Sequence, residues 1–383
     1  MYVNLKLLGR ACYIQFFERP PLLRRWFWTL AIGVVFGAIL CFVAIGRLLD
    51  HIFFPRFAKQ VVRNPIFVIG TPRSGTTLTQ NLLCLDADRF AYFRLYQTIF
   101  PSVLHQRMFD ALAKLDARLG GALSRLAARI ERRYFGSWGD MHPLVFDRPE
   151  EDEGLFVYTI MTEALYLLFP YVESLPEAGF LDRAPEATRR RVMRYFTSCV
   201  RRHLYATGPE KTPLLKSTSH AGRIDSLLAA FPDARFIHLV RNPEHCIPSH
   251  VSVFYPAWHA HSPEIAKDSP ESRAYGQLAV DWYRNLYDKR QKFDDERYIC
   301  IRYDDLVADP PGTVARIYAH FGMTLSDAYR AKLQDATKAS RRFESRHHYT
   351  LEEFGMSKAW IRERLGDVMD SYGFETGSAD DSD

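Results

Sequence analysis

Apolar positions along the chain fall into three patterns. The first is an unbroken run from Trp26 to Gly46, 21 residues without a charge, long enough to cross a bilayer as one helix. Trp26 and Trp28 stand at one end of it as interfacial anchors do, and Gly33 and Gly37 leave a small-residue face for helix packing. A helix buried against a soluble domain, or one lying in a membrane interface, has the same composition. No small-residue cleavage site follows before Arg47, which argues against a removed signal peptide.

The second pattern consists of short apolar runs bounded by turn residues, which read as buried strands: Ile66 to Ile69, Arg89 to Gln97 with its exit, Pro213 to Leu215, Phe236 to Val240, and the stretch from Arg297. The third recurs every three to four residues and reads as helix. It covers Leu78 and Leu82, then Leu104, Met108, Leu112 and Leu115 within a helix expected over 102–133, and the segments 192–205, 223–230 and 281–293. A chain of 383 residues with 47% apolar content can bury one large core. The expectation is an α/β fold of three layers, a central parallel sheet flanked by helices, over residues 61–372. A membrane-associated segment, 1–60, precedes it with a hydrophobic helix at about 26–46, and a disordered acidic tail, 373–383, follows.

Between the first strand and the first helix of that domain lies Gly70-Thr-Pro-Arg-Ser-Gly-Thr-Thr77. Gly70 and Gly75 permit positive φ and a close approach of backbone to an anion. The N–H groups of Ser74 to Thr77 open a helix N-terminus whose dipole favours negative charge, and Arg73 and the hydroxyls of Thr76 and Thr77 add donors. The spacing nearly satisfies the phosphate loop G-x-x-x-x-G-K-[ST], with Thr76 in the place of the lysine. Losing that lysine disfavours a nucleoside triphosphate. Arg73 inside the loop suits a transferring group beside a single 5′-phosphate.

Pro72-Arg-Ser-Gly-Thr-Thr77 resembles the 5′-phosphosulfate loop of the sulfotransferase superfamily, in the branch that carries Arg rather than Lys. The resemblance, which runs from Pro65 to Gly355, implies a P-loop-like fold and 3′-phosphoadenosine 5′-phosphosulfate (PAPS) as co-substrate, with no metal. Lys216-Ser-Thr-Ser-His220 is similar to the family's strand-end lysine and histidine, spaced wider than in the cytosolic enzymes; His220 is either the base or a helix cap. Arg241-Asn-Pro with Ser249 eight residues on resembles the 3′-phosphate motif, in which a guanidinium grips a second phosphate and a hydroxyl adds a donor. Tyr303-Asp-Asp-Leu306 is similar to a family element that sets its tyrosine near the adenine, while Asp304 and Asp305 are expected to cap the helix following Asp309. Arg341 and Arg342 open a basic stretch that either closes over the 3′-phosphate, as in relatives, or is a solvated loop. The family also uses a carboxylate base, for which Glu151 and Glu153 are candidates; the acidic stretch they belong to is equally a well-stabilised helix start. Tyr96 and Gln97 are candidates for the acceptor pocket, and 250–268 for a substrate-facing loop.

Charge adds little to this picture. A net charge of +5 with scattered basic residues gives no reason to expect nucleic acid. The six cysteines, Cys12, Cys41, Cys84, Cys199, Cys246 and Cys300, have no metal spacing, and several fall in apolar runs and read as core thiols. Basic residues stand on both sides of the apolar run, so it is barely oriented by them, and the chain has no Asn-x-Ser/Thr acceptor. The expectation is a membrane-associated domain facing the cytoplasm, with the Golgi lumen as the alternative, acting on a hydroxylated carbohydrate or lipid-linked acceptor. Two rivals remain. A P-loop kinase of a small alcohol needs a lysine and a metal site that this loop lacks, and an inactive membrane-attached scaffold has no use for two phosphate grips.

Overall fold

The computed structural model describes residues 1–121, 125, 148–340 and 349–374; Arg341, Arg342 and the tail from 375 onward lie outside them. Five strands form one sheet: β1 (Ile66–Gly70), β2 (Phe90–Ala91), β3 (Thr212–Lys216), β4 (Arg235–Val240) and β5 (Tyr298–Arg302). Their order is β2-β3-β1-β4-β5 and every pair is parallel. Alternation along each strand feeds two cores. Phe67, Ile69, Phe236 and Val240 enter one, and Ile66, Val68, Ile237 and Leu239 the other.

The helices used below are α1 (Leu5–Tyr13), α2 (Leu23–Phe53), α3 (Thr76–Cys84), α4 (Leu95–Ile99), α5 (Val103–Arg118), α6 (Glu153–Val157), α7 (Glu186–Thr207), α8 (Ile224–Ala230), α9 (Pro243–His261), α10 (Pro270–Lys289), α11 (Tyr303–Ala308) and α12 (Pro310–His320). α3 and α12 cover one face of the sheet, and α7, α8, α9 and α10 pack in the core on the other, which gives the three layers.

Four local expectations are corrected. Only Phe90–Ala91 of the segment 89–97 pairs as strand, because Gln97 turns its carbonyl oxygen back to the N–H of Arg94 (2.9 Å) and caps α4. In α5 the apolar face faces outward: Met108, Leu112 and Leu115 are exposed, while His105, Gln106 and Asp116 are buried. Asp50 of α2 fastens only the start of the helix, its carboxylate accepting from the N–H groups of Val103 (3.1 Å) and Leu104 (2.9 Å), and the residues beyond the first turn are largely exposed. The stretch 250–268 is mostly not a loop, since α9 runs through Pro248 and Pro256 to His261. Packing outweighs the missing donors there: Cys246, Val251 and Trp258 are buried, and the indole of Trp258 donates to the carbonyl of Tyr166 (2.7 Å). Finally, Asp309 rather than Asp304 or Asp305 caps α12, accepting from Gly312 N–H at 3.0 Å.

α2 is longer than its uncharged run, because Arg47 and Asp50 belong to its last turns. It lies lengthwise against the domain. Arg25 donates to the hydroxyl of Ser262 (2.9 Å), Phe36 stacks on Tyr158 (6.1 Å), Arg47 donates to the carbonyl of Pro101 (2.9 Å), and Asp50 accepts from Arg202 (2.8 Å). Leu7, Ala11, Ile14 and Val43 belong to the same core as the sheet.

Candidate active site

In an open parallel sheet, ligands bind where the strands end and the chain direction switches sides. β1 sits between β3 and β4, with Val68 beside Lys216 and Gly70 beside Leu239. The loop after β1, Lys216 at the end of β3, Arg241 after β4 and Tyr303 after β5 therefore emerge along one edge.

The loop after β1 is a tight cradle. Gly70 (φ +151°) could carry no side chain, for a Cβ would stand 2.6 Å from the carbonyl of Leu239. Gly75 (φ +93°) is equally confined, with a Cβ 2.9 Å from both Tyr303 and Leu306. Arg73 adopts φ +65° without being glycine, a left-handed conformation that costs on the order of 1 kcal/mol or more and is held by its surroundings. Ser74 corrects the expected donor set: its hydroxyl (2.7 Å) and its N–H (3.3 Å) both donate to the carbonyl of Thr71, inside the turn. The N–H groups that helix geometry leaves unpaired begin at α3 itself, with Thr76 and Thr77. Thr76 is buried; Thr77 is exposed, and its hydroxyl accepts from Lys216 Nζ at 3.0 Å.

Arg241 ties three of these motifs together. Its Nη1 donates to the carbonyl of Arg73 (3.0 Å), and its guanidinium lies over the ring of Tyr303, 4.1 Å from the centroid. Its own carbonyl accepts from the Tyr283 hydroxyl (3.0 Å). Ser249 lies on the second turn of α9, half-buried, with its carbonyl engaged by the Ser252 hydroxyl (2.7 Å).

The acidic stretch before α6 is laced onto the same edge. Glu150 N–H donates to Phe93 (2.9 Å), Asp152 N–H to Lys216 (3.0 Å), and the amide of Gln80 on α3 to the carbonyl of Glu150 (3.1 Å). Its carboxylates then diverge. Glu151 accepts from Lys216 and keeps 20% of its side chain exposed. Asp152 turns inward to His220 Nε2 (3.0 Å). Glu153 is held by Arg223 through two bonds (2.5 and 2.8 Å) and by Ser217 and Thr162 (2.8 and 2.7 Å). His220 is fully buried, edge-on to Phe67, Phe156 and Phe196. Of the three base candidates, His220 and Glu153 are thus engaged inside the protein, and Glu151 is the one that touches Lys216 at the loop edge.

Tyr96 and Gln97 are also corrected. The Tyr96 hydroxyl donates to Asp110 (3.2 Å) and is pushed up to about 12 by burial, so it ties α4 to α5 rather than lining this edge. Arg223, Asp152 and Gln80 are the supporting residues that sequence reasoning missed. A cation directly after the small residues Ala221 and Gly222 is the one available hint, and nothing local links Arg223 to Glu153, 70 residues away. A cavity of about 930 Å³ lies elsewhere, between α7, α8 and the end of α2. Among the described residues no three His, Cys, Asp or Glu side chains gather as metal ligands.

The sequence profile described as "Sulfotransferase family" matches residues 65–327, from just before β1 to the start of the helix after α12. The chain belongs to the sulfotransferase family. Its curated relatives include the omega-hydroxy-beta-dihydromenaquinone-9 sulfotransferase Stf3 of Mycobacterium bovis and of Mycobacterium tuberculosis, each 29% identical over 335 residues, 85% of this chain and 79% of the relative. Two solved sulfotransferases share the fold. STF1 from Mycobacterium tuberculosis H37Rv superposes with a TM-score of 0.66 at 22% identity, over 95% of this chain and 92% of its own. STF9 from Mycobacterium avium gives 0.69 at 20% identity, over 85% and 81%. The sulfotransferase profile takes in every strand of the sheet and all of the edge residues just described, whereas α1 and α2 precede it.

Proposed function

We propose that this sulfotransferase moves a sulfuryl group from PAPS to the hydroxyl of a membrane-borne lipid acceptor. The observation that carries the donor assignment is Arg241, joined to the Arg73 carbonyl and stacked on Tyr303. Two anion-binding elements and an aromatic ring stand together there, as a ligand with two separate phosphates and a base requires. The confined Gly70 and Gly75 fit close approach of a phosphosulfate to the loop backbone. PAPS supplies an activated sulfuryl group whose leaving group is adenosine 3′,5′-bisphosphate.

In this proposal Arg73, the N–H groups of Thr76 and Thr77 and their hydroxyls bind the 5′-phosphosulfate, with Ser74 shaping the turn. Arg241 and Ser249 bind the 3′-phosphate and Tyr303 packs on the adenine side; Arg341 and Arg342, also expected to serve that phosphate, lie outside the described residues. Glu151 is the base. It is half-buried rather than buried like Asp152 and Glu153, and it touches the loop edge through Lys216. It takes the acceptor proton as the acceptor oxygen forms its bond to sulfur and the bond from sulfur to the bridging oxygen breaks, and Lys216 neutralises the charge left on that oxygen. His220 orients Asp152, whose N–H holds the Lys216 carbonyl, and so positions rather than reacts.

The lipid acceptor is supported by the relative whose name specifies a hydroxylated menaquinone and by the apolar helix α2, one of whose residues, Phe36, stacks on Tyr158 just after the acidic stretch. Calorimetry of adenosine 3′,5′-bisphosphate against ADP with Mg²⁺, followed by transfer of radiolabelled sulfate from PAPS into a lipid extract, tests the assignment. Preference for the bisphosphate and label in the lipid phase are expected. Preference for ADP with Mg²⁺ overturns it in favour of a kinase.

A further inference from the structure

α2 is amphipathic in the inverted sense. Its buried stripe contains Arg25, Thr29, Arg47 and Asp50, all satisfied inside the protein by Ser262, Gln15, Pro101 and Arg202. Its opposite stripe is Leu23, Phe27, Leu30, Val34, Ile45 and Leu48, between 58 and 80% exposed. A helix that hides its charges in a protein and presents its apolar side chains outward is built for an exterior other than water. α5 continues the surface. His105 packs on Phe42 and against Gly46 of α2, and the exposed Met108, Leu112 and Leu115 lie on the same helical stripe as His105.

The same contacts decide how the helix meets a bilayer. Arg25 and Asp50, 25 residues apart, span about 38 Å of helix, more than the roughly 30 Å of a hydrocarbon core. Both ends and Phe36 between them are fastened to one folded domain. An upright crossing would drag the flank of that domain, with its Arg202 and Asp50, into hydrocarbon. Charge points to the alternative. Exposed Arg24 adjoins the stripe at one end and exposed Arg56 and Lys59 follow it at the other. Beside that second end, the 930 Å³ groove that reaches His51 is lined by Arg189, Arg190, Arg194 and Arg201 of α7, of which only Arg190 has an ion-pair partner among the described residues.

We infer that α2 lies in the plane of a single leaflet, its outer stripe and that of α5 sunk to the acyl boundary, with the cations at its ends and along α7 against anionic headgroups. This deepens the membrane attachment of the proposed function and is independent of its chemistry. The acidic stretch then stands at the leaflet surface, so a lipid acceptor reaches it without leaving the membrane.

The test uses the full chain with vesicles of phosphatidylcholine alone or with phosphatidylglycerol, scored by flotation. Binding at least about 10-fold stronger to the anionic vesicles is expected, with Val34→Lys and Ile45→Lys each lowering it at least about 10-fold. Adenosine 3′,5′-bisphosphate affinity, measured in parallel, should stay unchanged in both variants, so that a failure of the donor assignment is separable from a failure of this one. In a chain whose exposed Cys41 and Cys300 are serine, Arg24→Cys and His51→Cys should both react with an impermeant maleimide from the same side of sealed membranes. Labelling from opposite sides overturns the in-plane placement and makes α2 a spanning helix. Vesicle binding indifferent to the lysine variants also overturns it, as does a stable dimer that the same variants dissociate without any vesicle binding.

Discussion

Replacing Arg241 by alanine removes two contacts of the fold and, on the proposed function, the grip on the 3′-phosphate, and the three differ in size. The bond to the Arg73 carbonyl joins partly exposed groups and is worth about 1 kcal/mol. The stack on Tyr303 adds on the order of 0.5–1 kcal/mol. A charged hydrogen bond to the 3′-phosphate is worth about 1.5–3 kcal/mol. Only the last depends on the ligand carrying that phosphate. Calorimetry should therefore show adenosine 3′,5′-bisphosphate weakened roughly 10- to 150-fold in the variant. Adenosine 5′-phosphate, which feels only the loosened loop, should weaken no more than about 5-fold. Arg241→Lys separates charge from shape, since an ammonium keeps the point charge and loses the planar stack and the paired donors. Equal weakening of both nucleotides by Arg241→Ala would refute the reasoning. Arg241 would then act by holding Arg73 in its left-handed conformation, and the second phosphate grip would have to be sought elsewhere.

Three other outcomes are expected. Glu151→Gln should lower kcat by about 10²- to 10⁴-fold while leaving the bisphosphate Kd nearly unchanged, which steady-state kinetics with calorimetry reads directly. Gly75→Ala forces a Cβ against Tyr303 and Leu306 at a positive φ, and it should abolish measurable donor binding and lower the melting temperature in the same preparation. The third concerns acid: burial pushes both His203 and His238 down to about 3, so the unfolded chain takes up protons near pH 6.5 that the folded chain refuses. Stability is therefore full above pH 6.5 and is lost as pH falls toward 3, by about 1.4 kcal/mol for each imidazole between pH 7.5 and 5.5. Urea unfolding at those two pH values, with His203→Phe and His238→Phe, should show the slope shrinking in each variant.

Strand positions β1, β3 and β4 were legible because each buries both faces and is bracketed by turn residues, and β5 because Ile299 and Ile301 alternate inward while Cys300 is exposed. The loop after β1 was legible for a different reason: Gly70 and Gly75 are required by backbone approach, which is a local property. What failed depended on distant partners. The start of α5 is fastened by Asp50, more than 50 positions earlier, and no periodicity within α5 encodes that only this end is buried. α9 keeps its helix through two prolines because Trp258 and Val251 are buried by elements far away in sequence. The acidic stretch shows the limit most clearly. Glu151, Asp152 and Glu153 are indistinguishable as letters, and only Lys216, His220 and Arg223 assign them to the loop edge, the interior and a buried ion pair.

The anchors of α2 have a further consequence in time. Asp50 waits for Arg202, 152 residues downstream, and Arg25 for Ser262, 237 residues downstream. At a synthesis rate of roughly 5–20 residues per second, roughly 8–30 s pass between the making of Asp50 and the making of Arg202. Throughout that interval α2 is an apolar segment whose Arg25 and Asp50 still lack their partners from the domain, available to any lipid surface or targeting factor that recognises nascent hydrophobic helices. On the in-plane placement proposed above, the membrane meets α2 before the domain does, and the domain completes its fold around a helix already seated in the leaflet.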